Sequence, residues 1–275
     1  MGPRSLFYLK EPLEANNSLV YNNFVNSTVS VIIPCFEEMA NLQKGVLEKV
    51  SSYLRKNHSS YEVVIVDDGS KDGSVEFIEK FLKEDKNFRL VKNKHLGKAG
   101  AVTAGMLQAK GEYVLFTDMD QATPIDEIEK LLPHFKKGFD VVIGSRSTKR
   151  QGSPFIRLFI SRANIILRKI IVGIPDISDT QCGFKMFKYD AAQDLFKKIN
   201  IIHNNFKAIS GSSVSSGFDV ELLYIAEKAG YKIKEVPVRW LYVETRRVNP
   251  VKDSVEGVLE LVRIKRNALS GKYNI

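Results

Sequence analysis

At 275 residues, with 44% hydrophobic and 27% charged side chains, the chain has ordinary globular composition and length enough for its own core, which excludes a disulfide-stapled scaffold. Its two cysteines, Cys35 and Cys182, belong to no C-x-x-C pair, which argues against a zinc site and for a reducing compartment. The net charge of +9 favours anionic partners, whether nucleic acid, anionic lipid or phosphorylated substrates, without choosing among them.

Residues 1–28 read as an irregular leader with no signal-peptide core, and no stretch is long and apolar enough to span a bilayer. The pattern then changes. Apolar β-branched runs at 29–34, 61–66, 88–91, 112–117 and 140–146 predict five strands. Helical spacing predicts helices over 38–56, 75–82, 98–109 and 125–136 between them. Later helices are expected at 154–173, 189–198, 218–229 and 253–268, with a late strand at 231–238. The segment 203–217 is Ser/Gly-rich and reads as a loop. Strands that are continuous apolar runs, alternating with helices, predict an α/β fold: a mostly parallel sheet covered on both faces. The expected organisation is one domain over 29–250, with halves 29–146 and 147–250, followed by a C-terminal helical segment, 251–275.

In such sheets ligands bind beyond the carboxyl ends of the strands. Those ends carry Pro34 to Glu38, Asp67-Asp68-Gly69-Ser70, Asp118-Met119-Asp120-Gln121 and Gly144-Ser145-Arg146. Residues two apart on an extended chain face the same side, so Asp118 and Asp120 can meet one hard cation, with Gln121 adding a carbonyl oxygen. An acidic turn that caps the next helix is the competing explanation. Asp67 and Asp68 suit a ribose or base edge, or else only a turn and cap.

The motifs Ser30-Val31-Ile32-Ile33-Pro34-Cys35-Phe36-Glu37-Glu38, Val66-Asp67-Asp68-Gly69-Ser70, Gly97-Lys98-Ala99-Gly100, Thr117-Asp118-Met119-Asp120 and Gly144-Ser145-Arg146 occur in one order. That order resembles the family-two glycosyltransferases, which have the GT-A fold. Within them it is similar to the dolichyl-phosphate and polyprenyl-phosphate sugar transferases, mannose synthases included, with the UDP-glucose branch nearest. Asp120-Gln121-Ala122-Thr123-Pro124, Asp179-Thr180-Gln181-Cys182-Gly183-Phe184-Lys185 and Gly217-Phe218-Asp219 carry that closer likeness.

The resemblance implies an inverting sugar transfer from a nucleotide donor, dependent on Mg2+ or Mn2+, to a lipid phosphate at a membrane surface. It places Pro34, Phe36, Glu38, Asp67 and Asp68 around the nucleoside, with Lys98 near the base or diphosphate. Asp118, Asp120 and Gln121 would hold the metal, with Asp118 also beside the donor. Arg146 would face the phosphates, and Arg162 and Gln181 the acceptor phosphate. Asp219 would orient a phosphate acceptor or deprotonate a hydroxyl acceptor. Arg246 and Arg247 would close over the diphosphate as part of a mobile basic loop. Met119 stands where such enzymes carry a small residue, and its side chain is expected to point away from the ion.

Two stretches suggest a membrane. Over 154–173, Arg157, Ser161, Asn164 and Arg168 form a polar stripe opposite Phe155, Leu158, Phe159, Ile165, Ile166 and Ile170, which suits an interfacial helix or an ordinary amphipathic one. Lys252, Arg263, Lys265 and Arg266 add attraction to anionic lipid. The expected location is cytoplasmic, peripheral on the cytoplasmic face of a membrane. Nucleic acid is not an expected partner, because the basic residues are scattered and lack interleaved aromatics.

Overall fold

The computed structural model describes residues 28–146, 173, 177–204, 206, 217–241 and 250–274. The leader, nearly all of the expected interfacial helix at 154–173 and most of the Ser/Gly-rich loop lie outside these residues, as do Arg162, Arg246 and Arg247.

Seven strands form one sheet: β1 (Val29–Cys35), β2 (Tyr61–Asp67), β3 (Phe88–Lys92), β4 (Tyr113–Thr117), β5 (Val141–Arg146), β6 (Phe184–Lys188) and β7 (Ile233–Val238). Their order is β3-β2-β1-β4-β6-β5-β7. β1 pairs in parallel with β2 and β4, β2 with β3, and β5 with β7. β1, β2, β4 and β5, which read as apolar runs, are largely buried on both faces, as strands under two helical layers must be, whereas β3 at the sheet edge buries only Phe88.

One layer holds α1 (Met39–Leu42), α2 (Val46–Asn57), α3 (Ser74–Phe81) and α5 (Ile128–Lys136), with Leu42, Leu47, Val50, Ile78 and Leu131 against the sheet. The opposite layer holds α4 (Gly97–Leu107), α6 (Tyr189–Ile202), α7 (Phe218–Lys228) and α8 (Pro250–Leu269), with Val102, Leu195, Leu222 and Ile264 inward. The single helix expected over 38–56 is two. Gly45, at φ 74°, takes a left-handed conformation that ends the first and starts the second.

β6 has no counterpart among the strands expected from sequence. This strand runs antiparallel between β4 and β5, pairing Thr117 with Phe184 and Ile143 with Lys185. Because it runs against its neighbours, its first residues lie at their carboxyl ends. The segment entering β6, residues 177–183, is thereby carried into the ligand-binding edge of the sheet.

Candidate active site

A cavity of about 200 Å³ opens at that edge, lined by Thr117, Asp118, Asp120, Ala122, Thr123, Arg146, Gln181, Gly183 and Trp240. Four of the expected site residues, Asp118, Asp120, Arg146 and Gln181, therefore share one space. Asp118 and Asp120 follow the end of β4 and flank Met119, whose side chain is buried in the core below, as the alternation of an extended chain requires. Asp120 accepts the Ala122 N–H at 3.0 Å. Burial raises its pKa above the ordinary carboxylate range, with the neighbouring Asp118 charge adding to the effect. Asp118 takes an ion pair from Lys98 Nζ at 2.6 Å. Its carboxylate lies against Gly183, where any Cβ would overlap it.

Arg146 ends β5 and grips Asp179 through two bonds, Nε to Oδ2 and Nη2 to Oδ1, both 2.7 Å. Burial lowers the Asp179 ionisation tendency, but the guanidinium bonds and charge outweigh it and hold the carboxyl below its usual range. Glu235 on β7 accepts the Asp179 N–H at 2.7 Å, which fixes the loop in turn. Asp219, at the start of α7, accepts Lys185 Nζ at 2.5 Å. Lys185 is fully buried on β6, donates also to the Cys182 carbonyl at 2.6 Å and lies 5.2 Å from the Phe116 ring centroid.

Several expected site residues sit elsewhere. Gln121 does not line the cavity. At φ 49° its backbone turns the amide back onto Thr117 Oγ1 and the Asp118 carbonyl, and its Oε1 is buried without a hydrogen-bond partner. Asp67 and Asp68 are both buried. Asp67 accepts the N–H groups of Gly69 and Ser70, closing its own turn. Asp68 accepts the Leu96 and Gly97 N–H groups, each at 2.7 Å, and so caps α4 and positions Lys98 one residue on. Asp67 and Asp68 each hold two backbone N–H groups in this way.

Pro34 and Phe36 are partly exposed at the end of β1. Phe36 stacks on His95 at 4.3 Å, and His95 Nδ1 lies 2.8 Å from the Asp68 carbonyl. Glu38 accepts Asn41 Nδ2 at 2.6 Å. Glu37, His95 and Gln121, none of them glycine, have positive φ, a concentration of backbone strain around the strand ends that is typical of ligand sites.

Trp240 lines the cavity, Asp179 and Lys185 hold Arg146 and Asp219, and His95 stacks on Phe36; none of the four has a role assigned from sequence. Trp240 is held at the cavity rim by its neighbours. The Leu241 N–H donates to the Ala122 carbonyl at 2.7 Å, and Arg239 Nη2 donates to Asp126 at 2.5 Å.

The residues fit a divalent cation of the magnesium or manganese type. Among the described residues no cluster of three or more His, Cys, Asp or Glu could enclose a metal. Two cavity carboxylates suit an ion that takes its other ligands from water and phosphate. Asp118, Asp120, Asp179 and Asp219 outnumber Lys98, Arg146 and Lys185 by one charge, so the described groups alone do not neutralise an incoming diphosphate.

The family model for glycosyl transferase family 2 matches residues 30–196. The dolichyl-phosphate beta-glucosyltransferase of Dictyostelium discoideum is 31% identical, covering 92% of this chain and 79% of that protein. The Saccharomyces cerevisiae protein of the same name is also 31% identical, covering 89% and 76%. Among solved structures, glucosyl-3-phosphoglycerate synthase from Mycobacterium tuberculosis, in complex with Mn2+, UDP-glucose and phosphoglyceric acid, aligns with TM-score 0.61 at 14% identity, covering 94% of this chain and 86% of that one. Mannosyl-3-phosphoglycerate synthase from Rubrobacter xylanophilus aligns at 0.63 with 12% identity, covering 94% and 79%. These structures share the fold. With a matching family model over most of its length and relatives above 30% identity, the chain belongs to glycosyl transferase family 2 and is a glycosyltransferase.

Proposed function

We propose that this glycosyltransferase moves glucose from UDP-glucose onto a dolichyl or polyprenyl phosphate, with inversion, using Mg2+ or Mn2+ at a membrane surface. The observation that carries the reading is the cavity at the end of β4, where Asp118, Asp120, Arg146 and Gln181 converge. It is supported by the curated relatives, which are named for dolichyl phosphate and glucose, and by the Mn2+ and UDP-glucose in a neighbour of the same fold.

Asp118 and Asp120 are the residues that would hold the ion, which when bound supplies positive charge to the departing diphosphate. Arg146, fixed by Asp179 through Nε and Nη2, offers Nη1 to a phosphate oxygen. Because the pair is pre-formed, that donor needs little reorganisation as charge develops. Asp219 Oδ1 already accepts the buried Lys185 ammonium, so this oxygen is committed to an ion pair rather than directed at an acceptor hydroxyl. That favours an acceptor that is anionic without help, a phosphate, over a sugar or protein hydroxyl. Asp219 then orients rather than deprotonates. Gln181 stands at the same cavity as a neutral donor for the acceptor phosphate.

Peripheral attachment to a membrane has its support on α8. Leu259, Val262 and Leu269 are 63%, 52% and 79% exposed. With Arg266 they occupy the side opposite the buried Leu261 and Ile264, and exposed Lys265 flanks them. An outward stripe of aliphatic and basic side chains suits an anionic lipid interface. Among the described residues no helix is long and apolar enough to cross a membrane.

The test is turnover of UDP-glucose against other nucleotide sugars in Mn2+, with a short polyprenyl phosphate or the corresponding alcohol as acceptor. Product from the phosphate alone, and its loss in Asp120→Ala, is expected. Transfer to the alcohol, or full activity of Asp120→Ala in saturating metal, would overturn the reading.

A further inference from the structure

Lys98 has an unusual neighbourhood for a residue expected to serve a diphosphate. Its position is set by Asp68, which caps the first turn of α4 through the Leu96 and Gly97 N–H groups. From there the half-buried ammonium reaches Asp118 Oδ1 at 2.6 Å. On its other side the Asp118 carboxylate is packed against Gly183, so it has little room to turn away from Lys98.

Asp118 therefore cannot serve a divalent ion and Lys98 equally well. A doubly charged ion between Asp118 and Asp120 would stand within a few ångström of a like charge. Repulsion of that kind is strong in a partly desolvated cavity, and it is relieved when an anion arrives to share both cations. The diphosphate of the donor is such an anion.

We propose that Lys98 is an internal counter-cation for Asp118, which makes the metal bind weakly alone and tightly only together with the nucleotide diphosphate that draws the ammonium away. This inference rests on the metal-dependent reading above and adds an order to it: ion and donor enter as a coupled pair. Lys98 acts on the ion through Asp118 and is in that respect a positioning residue. Removing its charge has opposite effects on the two ligands, strengthening the metal alone and weakening the nucleotide.

The experiment is titration of the full chain with Mn2+, following free Mn2+ by electron paramagnetic resonance, with and without UDP. In the native protein, UDP is expected to tighten Mn2+ by about tenfold or more, within the range of ordinary coupling between sites. Lys98→Met is expected to bind Mn2+ alone about fivefold tighter than the native protein and to lose most of the gain from UDP. Lys98→Arg, which keeps the charge, should retain the coupling. Should Lys98→Met not fold, as judged by its melting curve, Lys98→Gln makes the same comparison. If the charge-removing variant binds Mn2+ alone no tighter than the native protein, while the native protein still takes Mn2+ with UDP, the counter-cation role is overturned and the metal-dependent reading stands. If the native protein fails to take Mn2+ even with UDP, the metal-dependent reading fails and the counter-cation role falls with it.

Discussion

Gly183 lacks a side chain where one would collide with the Asp118 carboxylate. Gly183→Ala is therefore expected to push Asp118 out of place while leaving the sheet intact. Displacements of about 1 Å near reacting groups cost on the order of 100-fold in rate, and steady-state kinetics with Mn2+ titration would show a loss of that size in both turnover and metal affinity. At this scale the sequence was a good guide to which acids meet. Asp118 and Asp120 follow directly from the two-residue period of an extended chain. It was a poor guide to what those acids touch. Asp68 and Asp118 both end apolar strands and look equivalent in sequence, yet one caps α4 and the other faces the cavity. The difference lies in where residues 95–98 and 183 fold back, and contacts separated by tens of residues leave no local signature.

Two elements beside the site, β6 and α7, are joined by buried charge. Lys185 on β6 and Asp219 on α7 form a pair that is stable only while complete. Lys185→Met is expected to destabilise the fold by about 3–5 kcal/mol, because it strands a buried carboxylate. Combining it with Asp219→Asn should recover a large part of that loss, and urea denaturation of the two single variants and the double variant checks it.

Further along α7, Glu221 accepts His203 Nε2 at 2.7 Å and the Tyr273 hydroxyl at 2.6 Å, tying α6 and the chain beyond α8 to the helix that carries Asp219. Burial would raise its pKa, but the His203 and Tyr273 bonds and the His203 and Arg263 charges hold it below the usual value. A depressed folded-state value means that this stabilisation is complete above the unfolded Glu pKa of about 4.3 and is lost as pH falls through the folded value. Glu221→Gln should flatten that acid limb of the stability curve, measured by denaturation at stepped pH.

β6 shows what pattern reading misses at this scale. Phe184–Lys188 is only five residues long, has lysines at both ends of its apolar part, and adjoins a helix directly, so no run or turn marked it as a strand. Its antiparallel pairing between β4 and β5 is nevertheless what brings Asp179, Gln181, Gly183 and Lys185 to the site.

For the molecule as a whole, the proposed membrane contact is a statement about one face. Replacing Leu259, Val262 and Leu269 together by serine is expected to abolish most co-sedimentation with anionic vesicles. Each exposed substitution should change stability by no more than about 0.5 kcal/mol, so the unfolding midpoint should stay nearly constant. Raising the salt concentration should weaken the native interaction as well, since Lys265 and Arg266 contribute through screened charge. Unchanged vesicle binding in the triple variant would place the contact elsewhere on the protein. A drop in the midpoint without loss of binding would mean that the stripe is covered by the chain itself.

The sequence by itself determined the α/β architecture, the acids at the strand ends and the family, because apolar periodicity and short motifs are local properties of a chain. Only the tertiary structure decided which acids turn inward, how Arg146 and Asp219 are paired, and that β6 returns between β4 and β5. Those outcomes depend on long-range hydrogen bonds and buried charge pairs, whose free energies exist only once distant segments have come together.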